Sequence, residues 1–255
     1  MTVNALYVGS VGKAFQVLNC FKGTSGDLSL TDIMTRSGLD KSAAQRYTYT
    51  LYAEGYLEQH PATRRYRLGK RVLDLTFHFL RTHELIEALN PIMLDLSKAT
   101  GEKISLSLHD GNELVHVMRH QTKDQHYHAS LVGRRVPLYC TAGGRAFLSR
   151  LDEAEQEAFF SSAKLVAHTS KTLTSVDAIK AELSKARKQG YAQAVDEFIL
   201  GEVGLGAAVV NECGVPYGAL HISGSSYEWT AEAYAEKFTP FLLNAIRQFQ
   251  QRNAY

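Results

Sequence analysis

The sequence predicts an α+β chain in two parts: three short helices closed by a β-hairpin, then a larger antiparallel sheet with helices. Three observations point there. In GLDKSAAQRYTYTLYAEGYL, residues 38–57, the set Ala44, Tyr47, Thr48 and Leu51 runs at i, i+3, i+4, i+7, and so does the set Ser42, Gln45, Arg46 and Tyr49. A helix turning about 100° per residue separates the two sets into opposed stripes, one to pack and one to face outward. Residues 102–119 alternate apolar and polar positions on both sides of Asp110-Gly111-Asn112, the pattern of a hairpin with a tight turn. Charge is divided as well: up to Arg81 there are 11 Lys+Arg against 6 Asp+Glu, net +5, and beyond it 17 against 20, net −3. A basic first part beside an acidic second part points to nucleic-acid contact by the first.

Taken in order, Ser10 to Phe21 places Val11, Ala14, Phe15 and Leu18 on one face of an amphipathic helix, which the GTSGD run at 23–27 breaks. Ser29 and Asp32 form a carboxylate version of the capping box, and Leu30, Ile33 and Met34 give the second helix its apolar face. Gly38 suits a left-handed turn residue, Leu39 packs between helices, and Asp40 N-caps the third helix, which ends near Gly55. Tyr56–Gln59 and Arg65–Leu68 read as strands joined across HPATR at 60–64, so that Arg65 and Arg67 share one face while Tyr66 and Leu68 turn back towards the helices. The result is a winged helix-turn-helix over 1–68. A linker helix follows at 69–82 on Val72, Leu75, Phe79 and Leu80, and 83–255 forms the second domain.

That domain opens on a helix from His83 to Thr100, interrupted near Asn90-Pro91, and continues with the 102–119 hairpin. Strands at 126–132, 191–198, 206–211 and 217–223, with helices at 143–150, 152–160, 175–189 and 228–250, complete an antiparallel sheet with helices.

Composition excludes several classes. No stretch approaches the roughly 18 to 20 apolar residues of a membrane span, and MTVNALYVGS lacks the basic-then-apolar order of a signal peptide, so a cytoplasmic protein is expected. Cys20, Cys140 and Cys213 are widely spaced and form no C-x-x-C pair, which argues for reduced, buried thiols. There is no G-x-S-x-G elbow, P-loop or H-E-x-x-H, and His221-x-Ser223 lacks an identifiable third partner. No catalysis and no cofactor are expected. The alternative is a second domain with hydrolase or metal-binding activity, the metal drawing on His126-x-His128 with His221.

The chemistry-bearing residues of the first part follow from groove geometry. The second helix of a helix-turn-helix enters the major groove and must present donors and acceptors to phosphates and base edges. Arg46 suits a phosphate or guanine, Gln45 adenine, Ser42 a phosphate near the helix start and Tyr49 either, with Lys41 adding charge at the entry. The hairpin adds Arg64 at its tip with Arg65 and Arg67 behind it. Double-stranded DNA is the expected partner, at an operator with inverted half-sites mirroring a two-fold homo-oligomer.

The run GLDKSAAQRYTYTLYAEGYLEQHPATRRYRLG, followed by GRRVPLYCTAGGRAFL, GYAQAVDEFILG and ALHISGS, resembles the IclR family of bacterial transcriptional regulators over nearly the whole chain. The resemblance implies a GAF-like effector domain after the linker helix, dimers or tetramers, and a small carboxylate effector. By motif it places the effector against His128, Thr141, Ala142, Gly143, Glu202, Gly204, His221 and Ser223, with backbone amides after LYC as anion donors. Arg64 stands where the family often has Gly, and Tyr47 and Thr48 where it has aliphatic residues. Ala194 replaces an acid and His221 a small polar residue, which together favour an aromatic or hydroxylated carboxylate. Tyr227 and Trp229 either close that pocket or pack against the C-terminal helix.

Overall fold

The structure is a computed structural model that describes residues 5–120 and 132–252. Its contacts divide the chain into two compact units, one ending at Thr82 and the other starting at His83.

In the first unit α1 (Gly9–Asn19), α2 (Leu30–Ser37) and α3 (Lys41–Ala53) precede β1 (Leu57–Gln59), β2 (Tyr66–Leu68) and α4 (Arg71–Thr82). The α2 capping box is reciprocal: Asp32 N donates to Ser29 Oγ at 3.1 Å and Ser29 N to Asp32 Oδ2 at 2.8 Å. Gly38 closes α2 at φ +69°, and Asp40 Oδ1 caps α3 by accepting from Ala43 N at 2.8 Å. Val17, Cys20, Phe21, Leu28, Ile33, Leu51 and Leu57 form the core.

Three expected apolar faces are turned differently. On α1 it is Val17 that is buried, while Val11 and Phe15 are exposed. Leu68 does not return to the helices but stands 45% exposed, because Tyr66 alone covers the core from β2 and bridges backbone to backbone with Leu28. On α4 no residue is buried, and Leu73, Leu75, Phe77 and Phe79 are exposed.

The second unit begins with α5 (Glu84–Thr100), which passes through Pro91 without the expected interruption. Pro costs an interior helix about 3 kcal/mol, and burial of Leu85, Ile86, Leu89, Ile92, Met93 and Leu96 on one face offsets it. There follow β3 (Lys103–Asp110), β4 (Glu113–His120), β5 (Arg135–Pro137), α6 (Ala142–Leu148), α7 (Glu153–Ser162), α8 (Val176–Gln189), β6 (Ala192–Val195), β7 (Glu202–Val210), β8 (Pro216–Ser225) and α9 (Ala231–Arg252). The strands make one antiparallel sheet ordered β5-β4-β3-β8-β7-β6. α5 and α9 cover one face, and α6 packs on the other, followed by α7 and α8 over a core of Leu114, Leu138, Phe147, Phe159 and Leu183. The strand expected at 126–132 lies outside the described residues except for Val132. Strand β5 is additional to the expected set. Cys20 and Cys140 are buried, but Cys213 is exposed, since it sits in the tight turn from Asn211 to Gly214 between β7 and β8.

Candidate functional site

The first site is the outer face of α3 and the hairpin. Ala44, Thr48 and Leu51 are buried, and Lys41, Ser42, Gln45, Arg46 and Tyr49 all face outward from one side. At the hairpin tip Arg64 adopts φ +57°, the left-handed conformation that suits glycine. The turn is drawn together by His60, whose N–H donates to Arg65 O at 2.8 Å and whose Nδ1 accepts from Ala62 N and Thr63 N. The arginines are not equivalent. Arg65 donates to Asp27 O at 2.8 and 3.0 Å and to Asp32 Oδ2 at 2.9 Å; Arg67 donates Nε and Nη2 to Glu58 Oε2 at 3.0 and 2.8 Å. Both are therefore held against their own domain. Lys41, Arg46 and Arg64 carry no side-chain ion pair among the described residues and keep their charges outward.

The second site is a cavity between the sheet and the start of α6, enclosing about 600 Å³ of empty space including its mouth. Two glycines let the helix approach. A Cβ on Gly206 would come 2.4 Å from Gly143 N, and one on Gly143 would come 1.9 Å from the His221 ring. The His221 imidazole therefore lies directly on the first turn of α6, and Thr141 caps that turn by accepting from Gly144 N at 3.2 Å while donating to Pro137 O at 2.7 Å.

The floor is a row across four strands. Arg119 of β4 pairs with Ser105 of β3, which pairs with His221 of β8, which pairs with Gly206 of β7. One spacing along, His116 pairs with Ser107, and the register skips Val117. That bulge turns His116 and Arg119, three residues apart, onto one face, where a regular strand would oppose them. His116 Nδ1 bonds Ser107 Oγ at 2.6 Å, and its ring meets His221 edge-on at 5.7 Å between centroids. His221 Nε2 and Arg119 Nε are buried and have no hydrogen-bond partner among the described residues.

Burial pushes His116 down to about 2 and His221 to about 3, helped by neighbouring cationic groups, so both imidazoles are neutral near pH 7. Histidine therefore adds no positive charge to the cavity near pH 7. Burial also lowers Arg119, to about 10, so its guanidinium stays charged. The nearby acids are occupied: Glu202 accepts from Lys103 Nζ at 2.7 Å, Asp196 from Gly201 N and Ser226 Oγ, and Glu197 from both terminal nitrogens of Arg145 at 2.6 and 2.5 Å.

The comparisons follow the same division. Residues 10–61 match the IclR helix-turn-helix domain, and residues 77–251 match the bacterial transcriptional regulator IclR C-terminal domain. The chain belongs to the IclR family. Within it, the chain is 31% identical over 185 residues to the HTH-type transcriptional regulator XynR of Escherichia coli, covering 72% of this chain and 73% of that one. A solved structure from Rhodococcus sp. RHA1 superposes with TM-score 0.83 at 27% identity, over 97% of this chain and 99% of its own. An IclR homolog from Microbacterium hydrocarbonoxydans, solved with 4-hydroxybenzoate, shares the fold with TM-score 0.78 at 22% identity, over 95% and 98% of the two chains. The chain is thus a DNA-binding transcriptional regulator with an α+β architecture, and the hydrolase alternative falls with the family assignment.

Of the IclR-type effector positions, Thr141, Ala142, Glu202, Gly204, His221 and Ser223 line the cavity, as does Ala194, and Gly143 backs the His221 ring. His128 and His126 lie outside the described residues, and no group of three or more metal-binding side chains occurs among those described. Trp229 packs edge-on against Tyr234 and Phe238 of α9 rather than closing the cavity, and Tyr227 is 86% exposed over Gly201. Sequence reasoning missed Ser105, His116, Arg119 and Arg134. For the first three the only sequence signal was polar residues on the hairpin strands, whose common face the Val117 bulge hides from simple alternation, while Arg134 stands in GRRVPLYC just ahead of β5.

Proposed function

We propose that this IclR-family regulator binds an operator of inverted half-sites as a homo-oligomer and is controlled by a small organic acid, aromatic or hydroxylated, held in the effector cavity. The outward set of Lys41, Ser42, Gln45, Arg46 and Tyr49 supports major-groove reading by α3, with Arg64 at the wing tip on phosphate or minor groove and Arg65 and Arg67 behind it. The single observation that carries the ligand reading is a polar cavity whose acids are already engaged while cationic and neutral donors remain turned into it. The binding of 4-hydroxybenzoate by the Microbacterium homolog is in keeping with that class. Residues 69–82, containing α4, are the segment through which effector binding would bias the DNA-binding units, and linkage then requires DNA to change effector affinity by the same factor.

Footprinting upstream of the gene and its neighbours tests the DNA half, and protection without two-fold related half-sites would count against it. Arg46→Ala should cost on the order of 1 to 3 kcal/mol if it reads a base, and should mainly flatten the salt dependence if it holds phosphate. A thermal-shift screen of organic acids tests the other half: 100-fold excess over Kd adds about 2.7 kcal/mol of stability, and hits confined to neutral or cationic compounds would refute it.

A further inference from the structure

Inside the effector cavity one cation stands out from the motif-assigned positions. Arg119 reaches it from β4 only because the bulge at Val117 breaks the alternation of the strand. Its Nε is buried, and no hydrogen bond or ion pair to its guanidinium occurs among the described residues. The contrast with Arg145 is direct, since that more deeply buried guanidinium is satisfied on three nitrogens by Tyr139 O and Glu197, whereas Arg119 is half-buried with its enclosed Nε left over. Glu202 attracts Arg119 through space without a hydrogen bond to it, and desolvating a guanidinium nitrogen that no acceptor meets is unfavourable for folding. Two strands across in the same row, His221 Nε2 is likewise enclosed and unpartnered, on a ring held in place by Gly143.

Resting on the organic-acid reading above, we infer that Arg119 is the anchor for the ligand's carboxylate and that His221 Nε2 meets a second, uncharged hydrogen-bonding group of the same molecule, such as a hydroxyl. A planar guanidinium fork matches a carboxylate, and a charge-assisted bond there is stronger than one to backbone amides alone. A neutral imidazole can donate to or accept from a hydroxyl, depending on its tautomer. The cavity therefore selects hydroxy-acids over plain acids, and acids over their amides.

The test uses the full-length protein, with lactate, benzoate, 3-hydroxybenzoate and 4-hydroxybenzoate and the amide of each as probes, followed by calorimetric titration and by the melting temperature without probe. The wild type should bind at least one acid roughly tenfold or more tightly than its amide. Arg119→Met should weaken that acid by roughly 10- to 100-fold, the range of a hydrogen bond to a charged group, and leave the amide unchanged. It should also raise the melting temperature of the free protein, an effect opposite to loss of a structural contact. His221→Phe keeps the ring on Gly143 and should erase the preference for the hydroxylated acid over the plain one. Acid binding retained in Arg119→Met, or a lowered melting temperature of the free variant, would overturn the anchor and leave the organic-acid reading standing. If no acid binds the wild type, both fall together.

Discussion

At the residue scale, two positions hold unfavourable conformations or environments that pair with a functional use. Arg64 occupies left-handed backbone at φ +57° where the turn geometry suits glycine. Such a conformation costs roughly 1 to 2 kcal/mol for a residue with a side chain. Arg64→Gly is expected to raise stability by about that amount while lowering DNA affinity and reducing the slope of log K against log salt by about 1; urea unfolding and salt-titrated binding measure the two effects. His221 is the second case. It is 91% buried as a neutral ring, with its proton affinity lowered to about 3 from an ordinary 6.5, so the unfolded chain takes up a proton that the folded one refuses. Stability should fall on acidification from about pH 6.5 towards 3, by about 1.4 kcal/mol per pH unit for this group. His221→Phe should make that limb of the stability curve shallower, and an unchanged curve would show that His221 does not contribute to it.

At the element scale, α6 is seven residues long and fully buried, and what fixes it is the ion pair at its centre. Arg145 and Glu197 are bonded through two parallel contacts with side chains only 1% and 8% exposed, and Glu197 also accepts from Leu173 N at 3.1 Å. Thr172 Oγ1 donates to Glu197 O at 2.5 Å, so the pair ties α6, the segment at 169–173 and the end of β6 into one unit around the cavity. Removing one member of a buried pair strands the other, at a cost of about 3 to 5 kcal/mol. Glu197→Ala should therefore lose that much in chemical denaturation and speed hydrogen exchange at 169–173, whereas replacing the exposed Glu157 of the surface pair with Lys180 should change stability by less than about 1 kcal/mol.

At the scale of the whole molecule, the apolar residues the first unit leaves exposed are the argument for self-association. α4 carries Leu73, Leu75, Phe77 and Phe79 with none buried, and α1 adds Val11 and Phe15. A helix this apolar on its outside is covered in a stable assembly. If the operator is two-fold as proposed, a second copy is the occupant it calls for. Phe77→Glu should shift sedimentation-equilibrium mass towards the monomer and weaken binding to a full operator far more than to a single half-site. An unchanged mass distribution would place the interface elsewhere.

What the sequence determined by itself was whatever depends on short range. Capping at Ser29, Asp32 and Asp40, the turn at Gly38 and the two stripes of α3 follow from residues within four positions of each other, and the structure carries them as read. The β3–β4 hairpin was legible for the same reason, through period-two alternation around the tight turn at Asp110-Gly111-Asn112. Tertiary structure decided what depends on partners distant in the chain. It turned Val17 rather than Val11 inward on α1, carried α5 through Pro91 on six buried side chains, and exposed Cys213 in a turn. It also brought Arg119 beside His221, 102 positions later in sequence, through a register fixed by three strands and one bulged residue. Period and propensity are local quantities, whereas register, burial and the company a charge keeps are set by which strands lie side by side, and it is those that make the cavity.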